Sequence, residues 1–117
     1  MTKLAKYLIK DFKGDGDKSK PSIKFFRSHG AYGYMIWLTV ISIHDDKKNI
    51  SIEELVSIVD KYGSRRTIID FINKSVEAKY LEKKISNDDK RKIFIIPSDN
   101  TIKEFSEWSN TFIKNII

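Results

Sequence analysis

The spacing of apolar residues changes period at Tyr80, and that change dictates a helix feeding directly into a hairpin. On the N-terminal side, at about 100° per residue, Ile68, Phe71, Ile72, Ser75 and Ala78 share one side of a helix, and Arg66, Asp70, Asn73 and Glu77 share the other. One face is expected to be core, and the opposite face is left to meet a partner. Beyond Tyr80 the period is two. Leu81, Lys83 and Ile85 alternate with Glu82 and Lys84, the turn-formers Asn87, Asp88 and Asp89 follow, and residues 91–96 return as a β-rich strand.

The segment before this helix begins with a strong local signal. Ser51 is placed to cap the first turn of a helix, Glu54 stands three residues on to complete a capping box, and Ile50 can staple onto Leu55. Leu55, Val56, Ile58 and Val59 give this helix its expected buried face. Gly63 offers backbone freedom for a tight turn, and Ser64 can cap the helix that follows. Helix, short turn, longer helix and hairpin together make a winged helix-turn-helix, with a recognition helix over residues 64–79 and a wing over 86–92.

Residues 31–43 are almost wholly apolar, through Tyr34, Met35, Ile36, Trp37, Leu38, Val40 and Ile41. The run falls short of the roughly 20 residues a membrane span needs, so it reads as a central helix buried on several sides. Core packing is preferred for its Tyr, Met and Trp side chains over the lining of a ligand pocket. Residues 22–29, with Ile23, Phe25 and Phe26, predict a short helix or turn packing on the domain. Residues 3–12 carry Leu4, Leu8 and Phe12 at intervals of four, with Ala5 and Ile9 beside them, which predicts an amphipathic helix in need of a partner. From Ser98, its expected cap, a last helix places Ile102, Phe105, Trp108 or Ser109, Phe112 and Ile116 at helical spacing. The fold class is therefore mainly α with a small β-hairpin wing. One domain spans 1–117: an N-terminal helix at 1–13, a linker at 14–21, the winged helix-turn-helix core at 22–97 and a C-terminal dimerisation helix at 98–117.

Several functions are excluded or weakened by residue type. The chain has no cysteine, so thiolate metal sites, disulfides and cysteine nucleophiles are absent, and two histidines make a poor metal cage. Asp15 and Asp17 invite a calcium reading. Counting from Asp15, however, the sixth position is Lys20 and the twelfth Phe26, where an EF-hand needs glycine and glutamate. There is no phosphate-binding glycine loop and no HExxH, and neither His29 nor His44 sits in a catalytic signature. His44 reads as a helix C-terminal residue facing the dipole. No enzyme activity, metal or cofactor is expected. Lysines at 3, 6 and 10 interrupt any signal-peptide core, so the chain is expected in the cytoplasm, without a membrane partner.

The net charge of +6 and pI near 9.4 favour an anionic partner. Nearly all of the excess lies between residues 61 and 92, where Lys61, Arg65, Arg66, Lys74, Lys79, Lys83, Lys84, Lys90, Arg91 and Lys92 outnumber Asp70, Glu77, Glu82, Asp88 and Asp89. The Ile, Lys and Asn bias is also that of an AT-rich genome, so part of the lysine content carries no functional meaning.

Residues 49–97 resemble the DNA-binding domain of the MarR family of bacterial transcriptional regulators. The specific match is in the wing: Ser86, then Asp89, Lys90 and Arg91 as the Asp-x-Arg tip, then a strand over residues 92–96 leading to the final helix. Ala78 and Lys79 stand where the family has a glycine-containing turn into the strand. The resemblance implies a sequence-specific regulator of double-stranded DNA, with the start of the recognition helix in the major groove and Arg91 in the minor groove. On that reading Ser64, Arg65, Arg66, Thr67, Asn73, Lys74, Lys90, Arg91 and Lys92 contact DNA, and Asp89 orients the wing arginine. Asp70 and Glu77 repel phosphate and confine contact to the first turns of the helix. The apolar surface of the two terminal helices predicts a homodimer, with Leu4, Leu8, Phe105, Trp108, Phe112 and Ile116 at the interface. A small-molecule effector is implied by the same resemblance. Two alternatives remain open: residues 27–37 are similar to the winged-helix domains of primosome-type replication-initiation proteins, and a winged helix can serve protein contacts alone.

Overall fold

Helix α3 (Gly30–Asp45) is the element on which the others pack. The computed structural model describes residues 2–15 and 20–116. In chain order they form α1 (Thr2–Lys10), a π-helical turn (Asp11–Asp15), α2 (Pro21–Arg27), α3, β1 (Ile50–Ser51), α4 (Ile52–Val59), a 3-10 turn (Asp60–Tyr62), α5 (Arg65–Glu77), β2 (Leu81–Ile85), β3 (Ile93–Pro97) and α6 (Asp99–Ile116). No described helix is long and apolar enough to cross a membrane.

The core forms where α2, α3, α5 and α6 converge. Trp37 is fully enclosed, stacked on Phe26 at 6.3 Å between centroids and met by Phe105 at 5.4 Å and Trp108 at 5.6 Å. The Tyr-Met-Trp run of α3 is thus core at Trp37, as its apolar composition implied, while Tyr34 is largely exposed. Phe71 of α5 stacks on Phe25 at 5.2 Å and meets Tyr32 edge-on at 5.4 Å. Each such ring contributes about 1.5–3 kcal/mol by leaving water. Helices α2 and α3 are in backbone contact at Gly33, where an added Cβ would lie 2.7 Å from the Phe26 carbonyl oxygen.

The buried face of α5 is the one its spacing implies at Ile68, Phe71, Ile72 and Ser75, but Ala78 is exposed. The regular helix ends at Glu77, two residues short of the expected 79, because the chain reverses there. Lys79 takes a left-handed φ of 66°, its N–H donates to the Val76 carbonyl, and the Tyr80 N–H donates to Ser75, both at 3.0 Å. This is a Schellman stop, and Lys79 occupies the position glycine fills most easily. The same pair of bonds closes α3 around Lys47, whose φ is 59°.

The expected hairpin forms, its strands pairing from Leu81 opposite Pro97 to Ile85 opposite Ile93, although the second strand begins at Ile93 rather than at 91. The sheet nevertheless has three strands, in the order β1-β3-β2, because Ile50 and Ser51 pair with Ile95 and Phe94. Alternation in β2 is shallower than its sequence suggested, since Leu81 is buried but Ile85 is 61% exposed. Ile58, expected in the α4 core face, is likewise exposed; Leu55, Val56 and Val59 carry that face. Gly63 lies in extended backbone at φ −177°, a conformation open to any residue, so the turn before α5 is made by residues 60–62 rather than by glycine freedom.

Helix α6 begins at its expected cap, where Ser98 Oγ accepts from the Thr101 N–H at 3.3 Å. Thr101 Oγ1 and the Ser98 N–H both donate to the Tyr80 carbonyl, fastening the helix start to the α5–β2 junction. Helix α1 lies against α6 through Tyr7 and Phe112, 5.4 Å apart edge-to-face. It ends at Lys10, and the π-helical turn buries Asp11, which receives Arg27 Nη1 at 2.6 Å and Trp108 Nε1 at 2.9 Å. The expected stripe of α1 stays uncovered in a single chain: Leu8 and Phe12 are exposed and Leu4 is half-buried. Gly14 and Asp15 belong to the π-helical turn and Pro21 opens α2, so the linker is shorter than 14–21. Asp17, the second carboxylate of the calcium reading, lies outside the described residues.

Candidate nucleic-acid interface

The local sequence around the turn fixes where α5 starts and what its first residues expose. Ser51 and Glu54 form the expected reciprocal cap of α4, with Ser51 Oγ accepting from the Glu54 N–H at 3.1 Å and Glu54 Oε1 accepting from the Ser51 N–H at 3.2 Å. Hydrogen bonding to its carboxylate, from the Ser51 hydroxyl first and then from the Ser51 N–H, holds the Glu54 carboxyl below the usual range. Ser64 Oγ caps α5 by accepting from the Thr67 N–H at 3.2 Å and donates to Thr67 Oγ1 at 2.9 Å. Both hydroxyl side chains are therefore engaged in the cap while still facing solvent.

Arg65 does not stand free. Its Nη1 and Nη2 donate to Glu53 Oε2 and Oε1 at 2.8 and 2.6 Å, a two-pronged contact from the start of α5 back to the first turn of α4. Hydrogen bonding from Arg65 holds the Glu53 carboxyl below its usual range, and the carboxylate raises the guanidinium in return. Arg66 is 93% exposed, with Asp70 4.0 Å from its Nε one turn on. Asn73 and Lys74 are exposed farther along, as is Glu77 at the end of the helix.

The wing is a hydrogen-bonded turn rather than a loose loop. Ser86 Oγ accepts from the Asp88 and Asp89 N–H groups at 3.2 and 3.3 Å, and the Lys92 N–H donates to the Asp89 carbonyl at 2.9 Å. Asp89 Oδ1 accepts from both the backbone N–H and the Nε of Arg91, at 3.0 and 3.3 Å. The guanidinium is thus aimed from its own backbone while remaining 93% exposed. Lys90 and Lys92 flank it in solvent.

The two halves meet across the start of α4. Ser51, Ile52, Glu53, Arg91, Lys92 and Ile93 line a groove of about 250 Å³ between the first turn of that helix and the wing. Glu53 therefore borders the wing on one side and holds Arg65 on the other, a role its sequence position did not reveal. It is separated from Arg65 by twelve residues and matches no local pairing interval. Among the described residues no group of three or more His, Cys, Asp or Glu is placed to hold a metal ion.

At the other end of the molecule, much of the surface assigned to a second subunit packs within the chain. Phe105 and Trp108 are half-buried against Trp37, Trp108 is tied to Asp11, and Phe112 is half-buried against Tyr7. Leu8, Ile9, Phe12 and Ile113 remain exposed, and the side chain of Ile116 lies outside the described residues.

No family model matches the chain, and no curated protein matches it. Among solved structures it is similar to a mutant of MepR from a multidrug-resistant S. aureus clinical isolate, at 11% identity and a TM-score of 0.59, over 94% of this chain and 76% of that one. It is similar to disulfide-formed AbfR at 14% identity and a TM-score of 0.53, over 98% and 77%. A weaker likeness, at 15% identity and a TM-score of 0.46, is to Bordetella bronchiseptica BpsR, whose DNA binding is regulated by 6-hydroxynicotinic acid; it covers 68% of this chain, which spans 57% of that protein. The MepR and AbfR likenesses establish the fold.

Proposed function

We propose that this chain, which has the MarR-like winged-helix fold, is a sequence-specific double-stranded DNA-binding transcriptional regulator. The observation that carries the reading is the wing arginine: Arg91 is held by Asp89 through both backbone and side chain, yet its guanidinium is almost fully exposed. A preoriented guanidinium suits a narrow minor groove, where negative potential is concentrated. The capped start of α5 then faces the adjacent major groove with Ser64, Arg65, Arg66 and Thr67, and Asn73, Lys74, Lys90 and Lys92 supply polar and phosphate contacts.

In this proposal two copies pair through α1 and α6, covering the exposed Leu8, Phe12 and Ile113. Two-fold symmetry then sets the wings on half-sites about one helical turn apart. A small-molecule effector acts at the junction of α1 and α6, where Tyr7, Lys10, Asp11 and Trp108 line a groove of about 360 Å³. The test is fluorescence anisotropy with a random-sequence duplex pool across salt concentrations, for wild type and Arg91→Ala, with the solution mass measured alongside. A dimer that binds with a steep salt slope, reduced by about one unit for each of the two arginines removed, is expected. Absence of duplex binding at low salt would refute the proposal.

A further inference from the structure

All three arginines on the proposed DNA-facing side have a carboxylate neighbour, but the neighbours differ in kind. Asp70 and Asp89 are local to Arg66 and Arg91 in sequence, and each meets a single guanidinium nitrogen, at 4.0 and 3.3 Å. Glu53 comes from a different helix and engages both terminal nitrogens of Arg65. It also borders the groove that holds Arg91 and Lys92. An exposed pair of this sort adds little to folding stability. Its chemical consequence falls on whatever approaches the guanidinium.

A phosphate and a base edge approach Arg65 on unequal terms. A guanidinium has five N–H donors, of which the contact with Glu53 uses two. The others can serve a neutral acceptor such as guanine O6 or N7 while Glu53 stays in place. A phosphate carries its own negative charge and meets the carboxylate as well as the arginine. The pair has no net charge, so it releases few counterions on DNA of arbitrary sequence. We infer that Glu53 is a specificity-determining residue, which withholds Arg65 from phosphate and leaves it available to uncharged base edges. This rests on the proposed function, since it presumes that the α5 face meets duplex DNA.

The test compares wild type, Glu53→Gln, Arg65→Ala and the double variant by anisotropy. Two probes are used, a random-sequence duplex pool and a duplex enriched from that pool by the wild-type protein. Glutamine keeps the shape of the side chain and removes the charge, and a thermal melt confirms the fold. Affinity of Glu53→Gln for the pool is expected to rise on the order of fivefold for each copy bound, the worth of one close charge pair in water. Its salt slope should steepen by about one unit for each copy bound, and its preference for the enriched duplex should fall. In the Arg65→Ala background the same substitution should have a smaller effect, which measures the general effect of net charge, and the difference between the two backgrounds is the coupling that the inference requires. Unchanged pool affinity and slope in Glu53→Gln would overturn the inference while leaving the proposed function standing. So would weaker binding to both duplexes, which would make Glu53 a support for Arg65 contact. Absence of binding by every protein at low salt would overturn the proposed function and the inference with it.

Discussion

Replacing Lys79 with glycine should stabilise the protein, although it deletes a side chain and a charge. Lys79 sits at the left-handed position that ends α5, with φ 66°. A left-handed conformation costs an L-residue about 1–2 kcal/mol through contact of its Cβ with the following carbonyl. Glycine avoids that contact but loses about 0.5–1 kcal/mol more backbone entropy on folding. The hydrogen bonds that close the helix, from Lys79 N–H to Val76 and from Tyr80 N–H to Ser75, are made by backbone and survive the change. The Lys79 side chain is exposed, so little packing is lost. A net gain of about 0.5–1 kcal/mol remains, equivalent to a rise of about 2–5 °C in melting temperature for a domain of this size. Differential scanning calorimetry of wild type, Lys79→Gly and Lys79→Ala reads it directly. Alanine has the same Cβ as lysine, so Lys79→Ala should melt within about 0.5 kcal/mol of wild type and isolates the backbone effect from the loss of charge. A lower melting temperature for the glycine variant, or an equal gain from alanine, would refute the strain argument.

Gly33→Ala should destabilise by about 1–3 kcal/mol in urea unfolding, because its Cβ would come within 2.7 Å of the Phe26 carbonyl oxygen and push α2 from α3. Ser51→Ala should cost about 1 kcal/mol through loss of the reciprocal cap on α4. That loss should depend on pH. Glu54 is held below its unfolded value by Ser51, so its contribution is present above the usual glutamate range and fades as pH falls through the depressed value. Urea midpoints of wild type and Ser51→Ala should therefore draw closer as pH falls below the usual glutamate range, without meeting, because the bond from the Glu54 N–H to the Ser51 hydroxyl does not titrate.

Features written in a few adjacent residues were legible in the sequence. The caps at Ser51, Ser64 and Ser98 and the buried face of α5 through Ser75 depend on neighbours three or four positions apart, and all lie where their spacing places them. What escaped was set by distant partners. Strand β1 is two residues long, too short to show a period, and exists only because β3 returns beside it. Asp11 is drawn into the protein by Arg27 and Trp108, 16 and 97 residues away. The exposure of Ala78 follows from where the chain reverses at Lys79, which a helical wheel run past the end of the helix cannot register. On the candidate interface, the exposure of Arg66 and Arg91 could be anticipated, but the capture of Arg65 by Glu53 could not.

The most direct test of the central claim is to titrate isotope-labelled protein with an enriched duplex and map the backbone amide shifts by heteronuclear NMR. Duplex contact through the start of α5 and the wing predicts the largest shifts at residues 64–67 and 88–92, with smaller ones at 73 and 74. Shifts confined to α1 and α6, or none at saturating duplex, would contradict it.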